Sequence, residues 1–466
     1  MNDRFEYSDA NELISYAKEA EGKYLYEIDK KDLINKPKTK SFVGTVIEES
    51  YFGLKINNRP EPDFPDVGIE LKSTGIEPYK KKNGYRAKER LVLNIINYQN
   101  EAKKDFYSSS FWLKNNKILI FFYTYVRSEN GKPDYPKFKI VKTVLHKFSE
   151  EDIIVIKKDW EIINSKIRQG LAHELSESDT DYLAACTKGK NSSSTQKQPY
   201  SNINAKQRAY SLKQGYMTTL VKKYIENINL PPIASKKELE KYSITELINN
   251  RLCPYFGLST LEIAEKLGTK LSKAKNKNQI LVSEIFGVKK TSLNDIDEFS
   301  KANIKFKTVV INKVGTPVES MSFENLDFDE IYNTKWEDST LRDKFLSIKW
   351  LFIIFEKGAN NELYLRGTKL WMVPEYILDN EIKELYNFVK LKMKYNNFAN
   401  NIPSSVTFNG VCHIRPKGRN REKSLIKLPN GEIISNQCFW FNSNFIKKII
   451  KNDGQSLFNT KSKVSE

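Results

Sequence analysis

The chain has 466 residues, 39% hydrophobic and 12% aromatic, enough for two or three ordinary domains with buried cores. Its four cysteines (Cys186, Cys253, Cys412, Cys438) are scattered without a Cys-x-x-Cys pair, and no two of its three histidines (His146, His173, His413) lie at ligand spacing, which excludes a disulfide framework, a zinc cluster and histidine-based metal hydrolysis. Lys and Arg exceed Asp and Glu by 76 to 58, a net +18, which suits a polyanionic partner but is also what an AT-rich codon usage, favouring Lys, Asn and Ile, produces.

Leu13, Ile14, Ala17 and Ala20 lie at helical spacing, so an amphipathic helix is expected over Ala10–Gly22, and a shorter one over Val43–Phe52. "VGIELKST" (Val67–Thr74) and "ERLVLNIINY" (Glu89–Tyr98) read as strands, and "KILIFFYTYV" (Lys117–Val126) as a central one. Ser149–Gly170 is a helix opened by a capping pattern at Ser149 and Asp152. Thr187–Asn202 is a loop by composition, Gly215–Ile228 a helix, and Asn229–Ser243, with Pro-Pro and a charge run, a linker. "IKWLFIIF" (Ile348–Phe355) is too short to span a bilayer and reads as a buried strand. No apolar stretch follows a basic start, so no secretory leader or membrane contact is expected, and the cysteine usage fits a reducing cytoplasm.

The second half echoes the first in the same order. Thr260–Leu271 echoes Asn11–Leu25, Glu284–Gly287 echoes Ser50–Gly53, and Asp343–Gly358 echoes Ser109–Val126. "IRPKGRN" (Ile414–Asn420) echoes "CTKGKN" (Cys186–Asn191), and Asn436–Asn452 echoes Gln207–Tyr224. A duplicated α/β domain follows, with a mixed sheet flanked by helices in each copy. The expected division is 1–228, a linker 229–243, and 244–466.

"PDFPDVGIELK" (Pro62–Lys72) carries the chemistry. In a strand Glu70 and Lys72 share a face, and Asp63 precedes them in a turn made by Pro62 and Pro65. Two carboxylates converging on one point need a cation between them. Oxygen donors without His or Cys suit Mg²⁺, and a neighbouring lysine positions water or stabilises charge building on a phosphate. The same residues also suit a strand whose polar face carries a solvated Glu–Lys pair. The matching stretch of the second half, Asp297–Val309, puts Glu298 at the place of Asp63 and Lys305 at that of Glu70, which removes a metal ligand.

"PDFPDVGIELK" resembles the PD-(D/E)xK motif of MutH, the GATC-nicking mismatch-repair endonuclease. "VGTVIEESYFG" is similar to its upstream helix with a Gly-x-x-x-Glu acid, and "FWLKNNKILI" to the segment with its second active-site lysine. "YLAACTKGKN" and "YSLKQGYMTTL" resemble its reading loop and last helix. A duplicated MutH-like chain of this length resembles the Sau-three-A type of type II restriction endonuclease, which cuts GATC, over nearly its whole extent. The resemblance implies that Asp63 and Glu70 bind the metal, Lys72 is the catalytic lysine, Lys114 the second lysine, and Glu48 the helix acid, with Glu49 as its rival because one extra residue precedes Phe52. It places Thr187, Lys188 and Asn191 in a DNA-reading loop, with Arg208 and Lys213 also toward DNA. Arg415, Lys417 and Asn420 form the corresponding loop of a second half that binds DNA without cutting. Ser211 stands where MutH carries its methylation-sensing tyrosine, so sensing of that kind is not implied. The expected function is Mg²⁺-dependent double-strand cleavage of duplex DNA at GATC. The second half would bind another site as an effector, the chain being a monomer alone and a dimer or looped complex on DNA, with a separate methyltransferase protecting the host. The alternatives are a nicking repair endonuclease and an inert DNA-binding regulator.

Overall fold

The computed structural model describes residues 7–35, 42–55, 60–79, 83–128, 132–188, 194–274, 276–288, 292–416 and 424–451. The chain forms two compact units, Met1–Ile244 with Ile296–Asn303, and Thr245–Asp295 with Ile304–Glu466.

The first unit contains β1 (Glu70–Pro78), β2 (Tyr85–Ala87), β3 (Leu91–Ile95), β4 (Lys117–Thr124), β5 (Ile140–Lys147), β6 (Leu183–Thr187), the short pair β7 (Thr195–Gln196) and β8 (Ala205–Lys206), and β9 (Arg208–Leu212). One sheet runs β2-β1-β4-β5, a second β3-β9-β6. β4 is buried from Ile118 to Tyr123 and lies between β1, parallel, and β5, antiparallel. Alternation sends Leu71, Leu119 and Phe121 into a core with Leu13, Ala17, Val46, Ile47 and Phe52 of the N-terminal helices. The first helix is Ala10–Lys18, shorter than expected, and the helix after β9 is Gln214–Tyr224. Helix Glu150–Arg168 is capped by Ser149, whose Oγ accepts the Asp152 N–H at 3.2 Å. Asp152 does not close the box; its carboxylate instead accepts from Tyr216 Oη at 2.8 Å.

The second unit repeats this plan. It contains β10 (Ile304–Ile311), β11 (Met321–Asn325), β12 (Lys349–Lys357), β13 (Leu363–Trp371), β14 (Cys412–Arg415), the pair β15 (Leu425–Lys427) and β16 (Ile433–Ser435), and β17 (Cys438–Phe441). The sheets are β10-β12-β13 and β11-β17-β14. β10 is parallel to β12 as β1 is to β4, and β11-β17-β14 matches β3-β9-β6 strand for strand. Its core gathers Trp350, Phe352, Phe439 and Phe441 among others.

Two segments correct the expected division. Residues 229–243 are packed onto the first unit rather than free. Helix Lys236–Lys241 has a capping box of Ser235 and Glu238, and Lys158 Nζ donates to the carbonyls of Leu239 (2.5 Å) and Tyr242 (3.1 Å). Ile296–Asn303, counted by sequence with the second half, also packs into the first unit. There Lys301 Nζ pairs with Asp152 at 2.7 Å and Asp297 at 2.6 Å, and Thr219 Oγ1 donates to Ser300 Oγ at 2.8 Å. A Cβ on Gly215 would lie 2.0 Å from the Ser300 carbonyl, so this approach requires glycine. Among the described residues no helix is long and apolar enough to cross a membrane.

Candidate active site

The sequence Pro65-Asp-Val-Gly68 forms a tight turn. Gly68 N–H donates to the Pro65 carbonyl at 3.1 Å, and Gly68 sits at φ +65°, in the left-handed region. Phe64 and Ile69 then pair antiparallel through bonds of 2.9 and 3.1 Å. This small hairpin folds Asp63 back beside Glu70, so β1 begins at Glu70 and not at Val67. The Asp63 N–H donates to Glu70 Oε2 at 3.1 Å, and the Leu71 N–H donates to Asp63 Oδ2 at 3.0 Å. Backbone donors thus hold both carboxylates in place while leaving oxygens for a ligand.

Lys72 lies two residues along β1, on the same face as Glu70, and its Nζ donates to Glu70 Oε1. Lys114, on the helix Ser110–Asn115 that precedes β4, brings its Nζ to 3.7 Å from the same oxygen. Glu70 is 1% exposed, and burial raises its pKa, Asp63 adding to the rise and the two lysines opposing it.

Val46–Tyr51 is a π-helix that follows a single α-turn, Phe42–Thr45, with the Phe52 N–H reaching back five residues to the Ile47 carbonyl at 3.1 Å. A π-turn absorbs one extra residue, the one that made Glu48 and Glu49 rivals. Glu48 is the acid joined electrostatically to the pair. Its carboxyl is pushed up to about 7, first by burial and then by the Asp63 charge, with Glu70 and Glu49 adding and Lys72 opposing. Among the described residues no three His, Cys, Asp or Glu side chains already form a metal cage. Crowded hard-oxygen donors fit a divalent cation that keeps part of its water shell.

β10 makes the counterpart site directly comparable. Glu70 pairs with Ile118, the second residue of β4; Lys305 pairs with Trp350, the second residue of β12. Lys305 and Lys307 therefore occupy the places of Glu70 and Lys72. Lys307 Nζ donates to the Ser322 carbonyl at 2.8 Å and lies over the Phe323 ring. Glu298, the counterpart of Asp63, is turned away into the first unit, where it accepts the N–H groups of Ile233 (3.1 Å) and Ala234 (3.0 Å).

The family model of MutH, described as the DNA mismatch repair enzyme, matches residues 52–159 and again residues 286–383. The type II restriction enzyme Sau3AI of Staphylococcus aureus is 36% identical, over 93% of this chain and 97% of its own length. The chain belongs to this family of type II restriction enzymes. The DNA mismatch repair proteins MutH of Actinobacillus pleuropneumoniae and Shewanella woodyi are each 27% identical, over 37% and 34% of this chain and 76% and 65% of their own lengths. The two matched segments and the repeated sheets make the architecture one of tandem MutH-like domains, and the type II family makes the chain an endonuclease.

As a restriction endonuclease the chain must also meet DNA. Thr187 and Lys188 are exposed at the end of β6, with the Lys188 N–H held by the Gln207 carbonyl at 2.7 Å. Asn191, Lys417 and Asn420 lie outside the described residues. Arg208 and Lys213 are placed otherwise than expected. Each is 3% exposed; Arg208 donates to the carbonyls of Ala185 (2.6 Å) and Leu175, and Lys213 to that of Thr180. Both cations are buried against backbone carbonyls of β6 and of the segment that precedes it. Ser211 is buried, its Oγ 3.5 Å from the Ala184 carbonyl. Arg415 ends β14 half-buried, over the ring of Trp440 at 4.0 Å. Sequence reading missed Trp440; its signal was its place in "NQCFWF", opposite Ser211 in "QRAYSL".

Proposed function

We propose that this chain makes double-strand breaks in duplex DNA at GATC with Mg²⁺ as cofactor, the first unit cutting and the second binding another site as effector. The observation that carries the division is the contrast between Asp63, Glu70 and Lys72 with Lys114 in one unit and Lys305 and Lys307 in the other.

Asp63 and Glu70 would hold the metal, with Glu48 beside them. Bound there, Mg²⁺ supplies an activated water and stabilises charge on the departing 3′ oxygen. Lys72 orients the attacking water against the scissile phosphate and offsets the charge that builds on it. Lys114 neutralises the buried Glu70 from the second side, which keeps that carboxylate ionised and able to bind a cation. Thr187 and Lys188 present polar and cationic groups to the groove, and the net +18 supplies salt-dependent phosphate affinity. The GATC assignment rests on the likeness to Sau3AI and on the GATC-nicking MutH motif that the sequence resembles. With it go a protecting methyltransferase in the host, a cytoplasmic site of action, and a chain that is a monomer alone and pairs or loops on DNA.

The test is incubation of purified protein with supercoiled plasmid and Mg²⁺, followed by sequencing of the ends. Linear products cut at GATC support the proposal. Nicked circles alone support a strand-nicking enzyme, to which one active cluster per chain also points. No cleavage at any divalent-metal concentration refutes the assignment of the site.

A further inference from the structure

Arg208, on the central strand β9 of one three-stranded sheet, and Arg415, on the edge strand β14 of the equivalent sheet, are used in opposite ways. Arg208 is buried and its guanidinium is spent on two backbone carbonyls. Arg415 is half-buried, and among the described residues no acidic side chain pairs with it. What holds it is one face of its guanidinium plane. Trp440 lies 4.0 Å beneath it, and the Trp440 Nε1–H donates to the Arg415 carbonyl at 3.1 Å, fixing backbone and side chain together.

The support continues downward. His413, fully buried and directly opposite Trp440 in the β14–β17 register, stacks on the indole with centroids 6.2 Å apart and planes 14° apart. His413 Nδ1 meets Asn442 Oδ1 at 2.5 Å, and Asn442 Nδ2 donates to the Val406 carbonyl at 2.7 Å. Asn442 Oδ1 is an acceptor, so His413 Nδ1 is the donor, and burial, with the Arg415 charge adding, pushes the ring's pKa down against that bond. Arginine and imidazole thus both lie against the indole, and the imidazole is anchored. In the first unit the register that pairs Leu183 with Leu212 and Cys412 with Phe441 puts Ala184 at the place of His413 and Ser211 at that of Trp440. No such stack exists there.

A guanidinium held by one face keeps its edge donors for a planar acceptor. In duplex DNA the matching acceptor pair is O6 and N7 of guanine in the major groove. We infer that Trp440 is a positioning residue that fixes Arg415 for bidentate reading of guanine, so that the second unit recognises its DNA site through a stacked arginine that the first unit lacks. This rests on the proposal that the second unit binds DNA as an effector.

The experiment measures activation of one-site plasmid cleavage by a short GATC duplex added in trans to the full chain. Wild type is compared with Trp440→Phe, which keeps a π face, Trp440→Leu, which keeps apolar bulk, and Arg415→Ala. Trp440→Leu is expected to raise the activating concentration on the order of tenfold, the scale of a desolvated cation–π contact. It should also lose the preference for a guanine duplex over one carrying 7-deazaguanine. Trp440→Phe should retain most of both, and Trp440→Leu should add nothing in the Arg415→Ala background. Wild-type behaviour of Trp440→Leu, equal loss in Phe and Leu variants, or full additivity with Arg415→Ala would overturn the inference while leaving the effector reading intact. Wild type that no duplex activates would overturn the effector reading itself.

Discussion

β1 and β10 are counterparts, each parallel to a fully flanked central strand, with Glu70 and Lys305 each beside the second residue of that strand. At this position the one unit has a carboxylate, almost fully buried, and the other a lysine. Two residues on, both have lysine, but Lys72 turns to a carboxylate and Lys307 to the Ser322 carbonyl. The partner of Glu70 is Asp63, brought round by a glycine turn; its counterpart Glu298 serves as an acceptor for Ile233 and Ala234. The second unit therefore keeps the sheet without this pair of carboxylates, because the strand ladder is built of backbone hydrogen bonds.

The largest effect expected breaks the first unit's side of this contrast. Asp63→Ala or Glu70→Ala should lower cleavage by about 10³-fold or more, since several kcal/mol of metal-derived stabilisation leave with the ligand. Binding to GATC duplex in Ca²⁺, read by gel shift, should persist; near-normal cutting by both variants would refute the ligand assignment. Next, Lys72→Ala should reduce turnover at saturating DNA by on the order of 10²–10³ while affinity changes little. Single-turnover rates and titrated affinity separate the two, and a variant that loses binding alone contradicts the role.

Lys301→Ala probes the segment whose counterpart holds Asp63. It leaves the buried Asp152 and the part-exposed Asp297 without their cation, at a cost of about 3 kcal/mol. Chemical denaturation followed by tryptophan fluorescence should show a lower midpoint for the transition that includes the first unit, and an unchanged midpoint would deny that Ile296–Asn303 packs there. A sharper comparison restores the carboxylate. Lys305→Glu in the Glu70→Ala background should give no cleavage above that background, because Glu298 stays bound to Ile233 and Ala234. Recovered cutting would mean that a single residue separates the two units.

The smallest effect is in pH. His146, between Tyr224 Oη (3.3 Å) and Tyr216 Oη (3.2 Å), is lowered to about 4 chiefly by burial, Asp152 opposing. The unfolded chain then binds a proton that the folded one resists, so this stability is present above about 6.5 and drains as pH falls toward about 4. Urea midpoints between pH 7 and 4.5 should decline less steeply in His146→Gln.

The sequence by itself determined the duplication, the strands and the motif. Continuous apolar runs such as "KILIFFYT" and a proline- and glycine-bounded "PDFPDVGIELK" encode local geometry, and local geometry is what puts Glu70 and Lys72 on one face. Only the tertiary structure decided which charges are spent. Arg208, Lys213 and Arg415 look alike in the sequence, since a cation's partner comes from distant backbone or rings: Leu175 and Ala185 for the first, Thr180 for the second, Trp440 for the third. It likewise moved Ile296–Asn303 into the other unit, where the Lys301 it carries, paired locally with the part-exposed Asp297, meets the buried Asp152, a residue too far away in the chain for any local period to encode the contact.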